Sequence, residues 1–168
     1  MSIIASDVKF YFSWGSGNTD PNACLWWVIS TTQVTDNTIN NLFDNVSWVE
    51  HTSWDTNYRC IYVVNSSAET AYNVRIFIDS NTTAIDDTIN IGKDLWWLDA
   101  TADTIANEST APDPAVTFTT AADYANAIML WDMTAWTKYW VWVKRIVSAG
   151  STAQANDTCV LKVSVDTV

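Results

Sequence analysis

The segment KYWVWVKRIV, Lys138–Val147, decides the fold. Its middle is apolar at every position, whereas a strand with one wet face alternates apolar and polar residues. Neighbouring side chains of a strand point to opposite faces. The segment therefore predicts a central strand that is covered on both sides. A second run of this kind, YRCIYVV at Tyr58–Val64, predicts another.

Other segments repeat with period two, which indicates strands with one buried and one solvated face. The apolar positions are Val8, Phe10 and Phe12; Tyr72, Val74, Ile76 and Ile78; and Cys159, Leu161, Val163 and Val165. Further strands are expected at 24–30, 88–92, 115–120 and 127–133, with polar turn clusters between them. The pattern predicts an all-β fold, an immunoglobulin-like antiparallel β-sandwich of two sheets.

One short helix is expected at about 35–46. Thr35 or Asp36 is a suitable N-cap, and Ile39, Leu42, Phe43 and Val46 follow at helical spacing. Neither an internal repeat nor an interdomain linker is visible, so residues 1–168 are expected to form a single domain. Residues 1–7 could form either an ordered strand or an extended N-terminal arm.

The formal net charge of −11 argues against nucleic acid as a partner, because few cations are available to neutralise phosphates. No stretch approaches the roughly 20 apolar residues that span a bilayer, so no membrane partner is expected. The first residues do not show a basic segment followed by an apolar run, which is the signature of a secretory signal. The chain is therefore expected to be made and assembled in the cytoplasm.

The sequence does not predict an enzyme. His51 has Glu50 and Asp55 nearby, but no nucleophile motif accompanies it, so it is interpreted as a surface-loop histidine. Cys24, Cys60 and Cys159 fit no metal spacing and are expected to be reduced thiols. The pair at 86–87 could contribute to a calcium site but is more typical of a solvated turn. No catalytic residue, cofactor or metal is expected.

The chain has eleven tryptophans and four glycines. Trp140 and Trp142 fit a core position in the apolar strand, whereas most of the others lie among turn residues. Tryptophan pairs occur in ACLWWVIS and KDLWWLDA. One interpretation makes Trp26, Trp27, Trp96 and Trp97 a platform that stacks on sugar rings, as in a carbohydrate-binding sandwich or an adhesin.

The chain resembles a group of small virion proteins of tailed bacteriophages that have an immunoglobulin-like sandwich. The resemblance rests on the order of segments along nearly the whole chain: SDVKFYFS, SGNTDPNA, VTDNTINNLFDNVS, DTNYRCIYVVN, TIANESTAP, VWVKRIVSAG and NDTCVLKVSVDT. It implies a structural role in the virion, first of all as a capsid decoration or cement protein. The implied partners are the major capsid protein or other virion proteins, bound in multiple symmetric copies. A tail or neck component is the alternative within this class.

The resemblance also bears on the tryptophans. The family pattern has glycine at the positions of Trp14, Trp26, Trp27, Trp48, Trp54, Trp96, Trp97, Trp131 and Trp136. Average usage predicts about a dozen glycines in a chain of this length, and turns need residues that tolerate positive φ. We therefore hypothesise that many tryptophans stand at glycine codons, through a reassigned UGA. Either the source truly inserts tryptophan at these codons, or it reads UGA as glycine. The second version predicts positive φ and poor side-chain fit at Trp26, Trp27, Trp54, Trp96 and Trp97.

Overall fold

The computed structural model describes residues 3–14, 24–25, 28–82, 87–93, 104–112, 116–150 and 158–166. Nearly half of these residues belong to strands. The strands are β1 (Val8–Phe12), β2 (Asp55–Asn65), β3 (Ala71–Asn81), β4 (Asp87–Lys93), β5 (Thr117–Thr119), β6 (Ile128–Met133), β7 (Lys138–Val147) and β8 (Cys159–Asp166). One helix, α1 (Trp48–Ser53), and two 3-10 turns, Ala5–Asp7 and Tyr124–Asn126, complete the described elements.

The strands form two antiparallel sheets. The larger has the order β1-β2-β7-β4-β5 and the smaller the order β6-β3-β8. Most consecutive strands lie in different sheets, so the chain crosses repeatedly between the layers. The predicted all-β, two-sheet sandwich is confirmed.

The central pair, β2 and β7, is buried on both faces. Its register joins ten residue pairs, from Asp55 opposite Val147 to Val64 opposite Lys138. One face carries side chains that pack against the smaller sheet: Ile61, Val63, Val141 and Val143. The opposite face is a second core made of Tyr58, Cys60, Tyr62, Trp140 and Trp142, covered by Leu25, Ile105 and Val116. Both strands are therefore doubly covered, as the unbroken apolar runs predicted.

The helix prediction at about 35–46 is wrong. Those residues form turns and bends, and Asn37 and Asn40 have positive φ values of 56° and 55°, which a right-handed helix cannot contain. The apolar residues that suggested a helix divide between two environments. Leu42 and Phe43 pack against the core, whereas Ile39 is exposed.

The helix lies further along the chain, at Trp48–Ser53. Its start is a capping box: the Glu50 backbone N–H donates to the Ser47 hydroxyl, and the Ser47 N–H donates to the Glu50 carboxylate. The motif Ser-x-x-Glu is visible in the sequence, but no helical apolar stripe accompanies it, since α1 buries none of its residues.

Residues 3–7 of the expected N-terminal arm pack on the sandwich instead of extending from it. Ile3 is buried in the core between the sheets. Both the backbone N–H and the hydroxyl of Ser66 donate to the Asp7 carbonyl, at 2.8 and 2.6 Å. This start of the chain is thereby fixed to the end of β2.

The second core generates a stability prediction. Trp142 is fully buried, whereas the side chain of Trp48 is exposed. Trp142→Ala should lower the free energy of unfolding by about 3–5 kcal/mol, because it removes a large buried ring and leaves a cavity. Trp48→Ala should change it by less than about 0.5 kcal/mol. Urea denaturation of both variants measures the difference, and equal losses would contradict the assignment of Trp142 to a core.

Candidate interaction surface

Among the described residues, the two acidic groups that lie near His51 in the sequence are engaged with other partners. His51 lies in α1 and stacks on Trp48, with ring centroids 5.8 Å apart. The Glu50 carboxylate accepts from Ser47 and Arg145, and the Asp55 carboxylate accepts from Thr56 and Asn57. These acidic groups therefore stabilise the local backbone. The expectation of a surface-loop histidine is corrected: His51 is helical and half-buried.

A shallow cleft of about 410 Å³ opens beside the ends of β3 and β4. Asp79 is the one titratable group among its described lining residues, and its carboxylate pairs with Lys162 at 3.2 Å. Within the described part of the chain, no group of three or more His, Cys, Asp or Glu side chains could hold a metal ion. Asp86 lies outside the described residues. No described helix is long and apolar enough to cross a membrane.

The thiols of Cys24 and Cys60 are free and buried in the interior. Burial raises the pKa of Cys24 and raises that of Cys60 well above its usual value. Both side chains are therefore held as neutral thiols, which are poor nucleophiles compared with thiolates. The structure gives these two cysteines a packing role.

An exposed apolar surface is found where the helix had been expected. We call residues 39–49 the docking segment, with Ile39 76%, Trp48 76% and Val49 69% exposed, and Val46 exposed beside them. The Asn40 amide donates to the Asn45 side chain at 2.8 Å, which closes the loop between Ile39 and Val46. Large exposed apolar patches usually mark interaction sites, and the four exposed apolar residues of the docking segment make it the candidate surface.

Phe43 anchors the docking segment to the sandwich. Its ring lies between two arginines of the central strands, with the Arg59 and Arg145 guanidinium carbons 5.2 and 4.9 Å from the ring centroid. Both arginines are buried. Guanidinium groups attract the face of an aromatic ring, more strongly when water is excluded. Phe43 therefore closes one end of the sandwich by an electrostatic as well as an apolar contact.

Arg145 makes the strongest set of contacts to this segment. Its guanidinium donates to the Asn57 side chain at 3.1 and 2.8 Å and to the Asp44 carbonyl at 2.7 Å. It also pairs with the Glu50 carboxylate at 3.3 Å. One buried side chain of β7 thus holds the docking segment, the start of α1 and the start of β2.

Arg59 has the corresponding role beside it. Its guanidinium pairs with the Glu108 carboxylate at 2.5 Å. The Glu108 carbonyl accepts from the Tyr58 N–H at 2.8 Å, and the Cys24 carbonyl accepts from the Cys60 N–H at 2.6 Å. Loop residues thereby cover the edge of β2 beyond the part that pairs with β1.

The exposed tryptophans do not form one platform. Trp48 begins α1 and Trp54 follows its last residue, next to the start of β2, whereas Trp136 lies in the β6–β7 turn, next to the end of β2. The 11 residues of β2 separate these ends by roughly 30 Å. The proposed stacking residues Trp26, Trp27, Trp96 and Trp97 lie outside the described residues. Trp140 and Trp142 are buried, as predicted.

Sequence reasoning missed Arg145 and Arg59 as anchors. The sequence did contain one signal. Side chains two residues apart on a strand share a face, so Arg145 lies on the same core face as Val143, and Arg59 on the same core face as Ile61. A charged residue on the core face of a doubly covered strand needs buried partners. Those partners, Glu50 and Glu108, are distant in the chain and carry no pairing signal of their own.

Comparison of this chain with protein-family models, with curated proteins and with solved structures finds no match.

The anchoring network generates a prediction for Arg145→Lys. Lysine keeps the charge but lacks the planar fork that reaches Asn57, Asp44 and Glu50 together. The variant should lose about 1–3 kcal/mol of stability, the cost of leaving buried partners unsatisfied. Amide hydrogen exchange should also accelerate at 44–53. Arg75→Lys, the same change in the other sheet, is the control, and unchanged exchange at 44–53 in Arg145→Lys would contradict the anchoring role.

The buried thiols generate a pH prediction. In the unfolded chain a cysteine ionises at a pKa of about 8.5, whereas burial raises the pKa in the folded chain. Above that pH the unfolded state binds fewer protons, so the free energy of unfolding should fall between about pH 8 and pH 9.5. Cys60→Ala should flatten this fall, and Cys159→Ala, at a less buried thiol, serves as the control. Urea denaturation across the pH series checks the slope, and an equal slope in Cys60→Ala and wild type would refute it.

Proposed function

We propose that this chain is a non-enzymatic structural protein of a phage virion, a capsid decoration protein that binds the shell of the major capsid protein. One observation carries the proposal: the docking segment exposes Ile39, Val46, Trp48 and Val49 while a buried arginine holds its backbone. The resemblance of the segment order to that of tailed-phage virion proteins favours the same class.

The arrangement suits docking to a rigid shell. A surface that is ordered before binding loses less conformational entropy on association than a flexible loop does. Phe43 and Arg145 supply that order from inside the sandwich. Apolar side chains then contribute by leaving water when they enter a complementary recess. The recess expected on the partner is apolar, with a basic or neutral rim, because this chain has a net charge of −11.

The acidic balance also agrees with the proposal. Net charge of one sign keeps neighbouring particles apart and soluble. We propose that the protein is assembled in the host cytoplasm, is located on the virion, and is present there in multiple symmetric copies. Neither nucleic acid nor a membrane is part of this proposal, and no cofactor is involved.

Binding to empty shells tests the proposal. The protein is mixed with shells assembled from the major capsid protein of the same genome, and co-sedimentation measures bound copies. Val49→Asp should reduce binding at least tenfold, because it places a charge in the apolar contact. Val160→Asp makes the same change at another exposed valine, on β8, and as the control it should bind as the wild type does.

Each outcome separates the alternatives. Failure of the wild type to bind shells, with binding to isolated neck or tail assemblies, would favour a different virion location. Specific retention on a glycan array, lost in Trp97→Ala, would favour the carbohydrate-binding alternative. Equal binding by Val49→Asp and wild type would exclude the docking segment as the contact, while an image of the decorated shell would still locate the protein.

A further inference from the structure

Three exposed tryptophans have backbone conformations that are typical of glycine. Trp54, Trp131 and Trp136 have φ values of 56°, 64° and 64°. A bulky residue with positive φ is a genuine outlier, because its Cβ clashes with neighbouring backbone atoms. Among the described residues, eight non-glycine residues have positive φ, and the others include Asn37, Asn40 and Asn73, a residue type that tolerates it.

Trp54 ends helix α1. It is the C-cap residue, with φ 56° and ψ 123°. Helices commonly end in a positive-φ residue, which is usually glycine. The ψ angle also lies outside the small left-handed region that other residues enter, near ψ +30 to +60°. The conformation of this link between α1 and β2 therefore favours glycine strongly. Positive φ at Trp54 matches the sequence-based prediction.

Trp131 lies at an irregularity of β6. The pairing register of β3 with β6 shifts on both sides of Trp131. From the pair Ala71–Met133 to the pair Val74–Trp131, a step of three residues in β3 matches a step of two in β6. From there to the pair Arg75–Met129, a step of one residue in β3 matches a step of two in β6, so the extra residue now belongs to β6. One class of β-bulge has a glycine in the left-handed conformation as its first residue.

Trp136 lies in the turn between β6 and β7. The Thr137 N–H donates to the Thr134 carbonyl at 3.2 Å, which closes a four-residue turn. Its second central residue, Trp136, has positive φ, whereas Ala135 does not. This is the type II pattern, which requires glycine or asparagine at that position.

The side chains do not compensate for these conformations. Trp54, Trp131 and Trp136 are 66%, 63% and 68% exposed. Trp131 has one cation–π contact, with the Lys93 ammonium 5.9 Å from its ring. Trp140 and Trp142, by contrast, are buried and have ordinary strand backbones. Tryptophan thus occurs in this structure both as a buried strand residue and as an exposed residue with positive φ.

The two glycines among the described residues show what the fold demands of this residue. Gly150 has φ 98°, and a Cβ at Gly92 would come within 2.9 Å of the Thr117 carbonyl. Both occupy positions that another residue would strain. Together with the three tryptophan positions they make five positions that favour glycine, whereas the chain has four glycines in all.

We infer that Trp54, Trp131 and Trp136 are glycine positions, and that the protein made by its natural source carries glycine there, through UGA codons which that source reads as glycine. Trp140 and Trp142 are genuine tryptophans. Trp14 and Trp48 have negative φ, so their backbones give no reason for glycine and the inference leaves them out. The inference does not rest on the proposed function.

Mass spectrometry of tryptic peptides from the natural source tests the residues directly. Cleavage after Lys138 and Lys144 isolates YWVWVK, which should retain both tryptophans. The peptides Phe10–Arg59 and Asp94–Lys138 should carry glycine at 54, 131 and 136. The matching codons should be UGA, with UGG at 140 and 142. Tryptophan at the three positions in the native protein would overturn the inference.

Paired substitutions in recombinant protein test the backbone separately. At 54, 131 and 136 the glycine variant should melt about 2–4 °C above the alanine variant, because alanine retains the Cβ that clashes. Both variants lose the ring, so the comparison excludes the Lys93 contact. At Trp48, inside α1, the order should reverse, with Trp48→Ala more stable than Trp48→Gly. Alanine variants that are the more stable at all four positions would also overturn the inference.

Discussion

The antiparallel pairing of β2 with β7 is the constraint on which the rest of the structure depends. Because both strands are buried on both faces, the fold must cover two surfaces. The smaller sheet covers one of them, and loop residues such as Leu25, Ile105 and Val116 cover the other. A buried ladder also satisfies its own backbone polar groups, which water cannot reach. The ladder therefore accounts for the sandwich and for its second core.

The same ladder positions the proposed interaction surface. Arg59 and Arg145 lie near one end of the ladder, on the face that packs against the smaller sheet. A buried charge is tolerated there only with partners. Phe43, Glu50 and Glu108 supply those partners and bring their loops with them. The apolar surface at 39–49 is thus a consequence of completing the core. Its order derives from inside the sandwich, while its exposed residues remain available for a partner.

Sequence patterns succeeded where one periodicity dominates and failed where an apolar residue has two possible environments. The unbroken runs at Tyr58–Val64 and Lys138–Val147 were predicted as central strands, which they are. At 35–46 the spacing of Ile39, Leu42 and Phe43 imitates a helix, but Leu42 and Phe43 face the core and Ile39 faces solvent. Periodicity reports spacing along the chain and does not distinguish a helix face from a loop that packs by two side chains. Nor could it predict the arginine anchors, whose partners are remote in sequence.

The sequence by itself determined the all-β class, the central strands and the core positions of Trp140 and Trp142, because alternation and its absence report burial on one or two faces of a strand. It also indicated a shortage of glycine from composition alone. Only the tertiary structure decided where the shortage matters, since positive φ is a property of turns and bulges in three dimensions. Likewise, only the packing of distant segments around Arg145 decided which apolar residues stay exposed, because burial depends on contacts that no local pattern encodes.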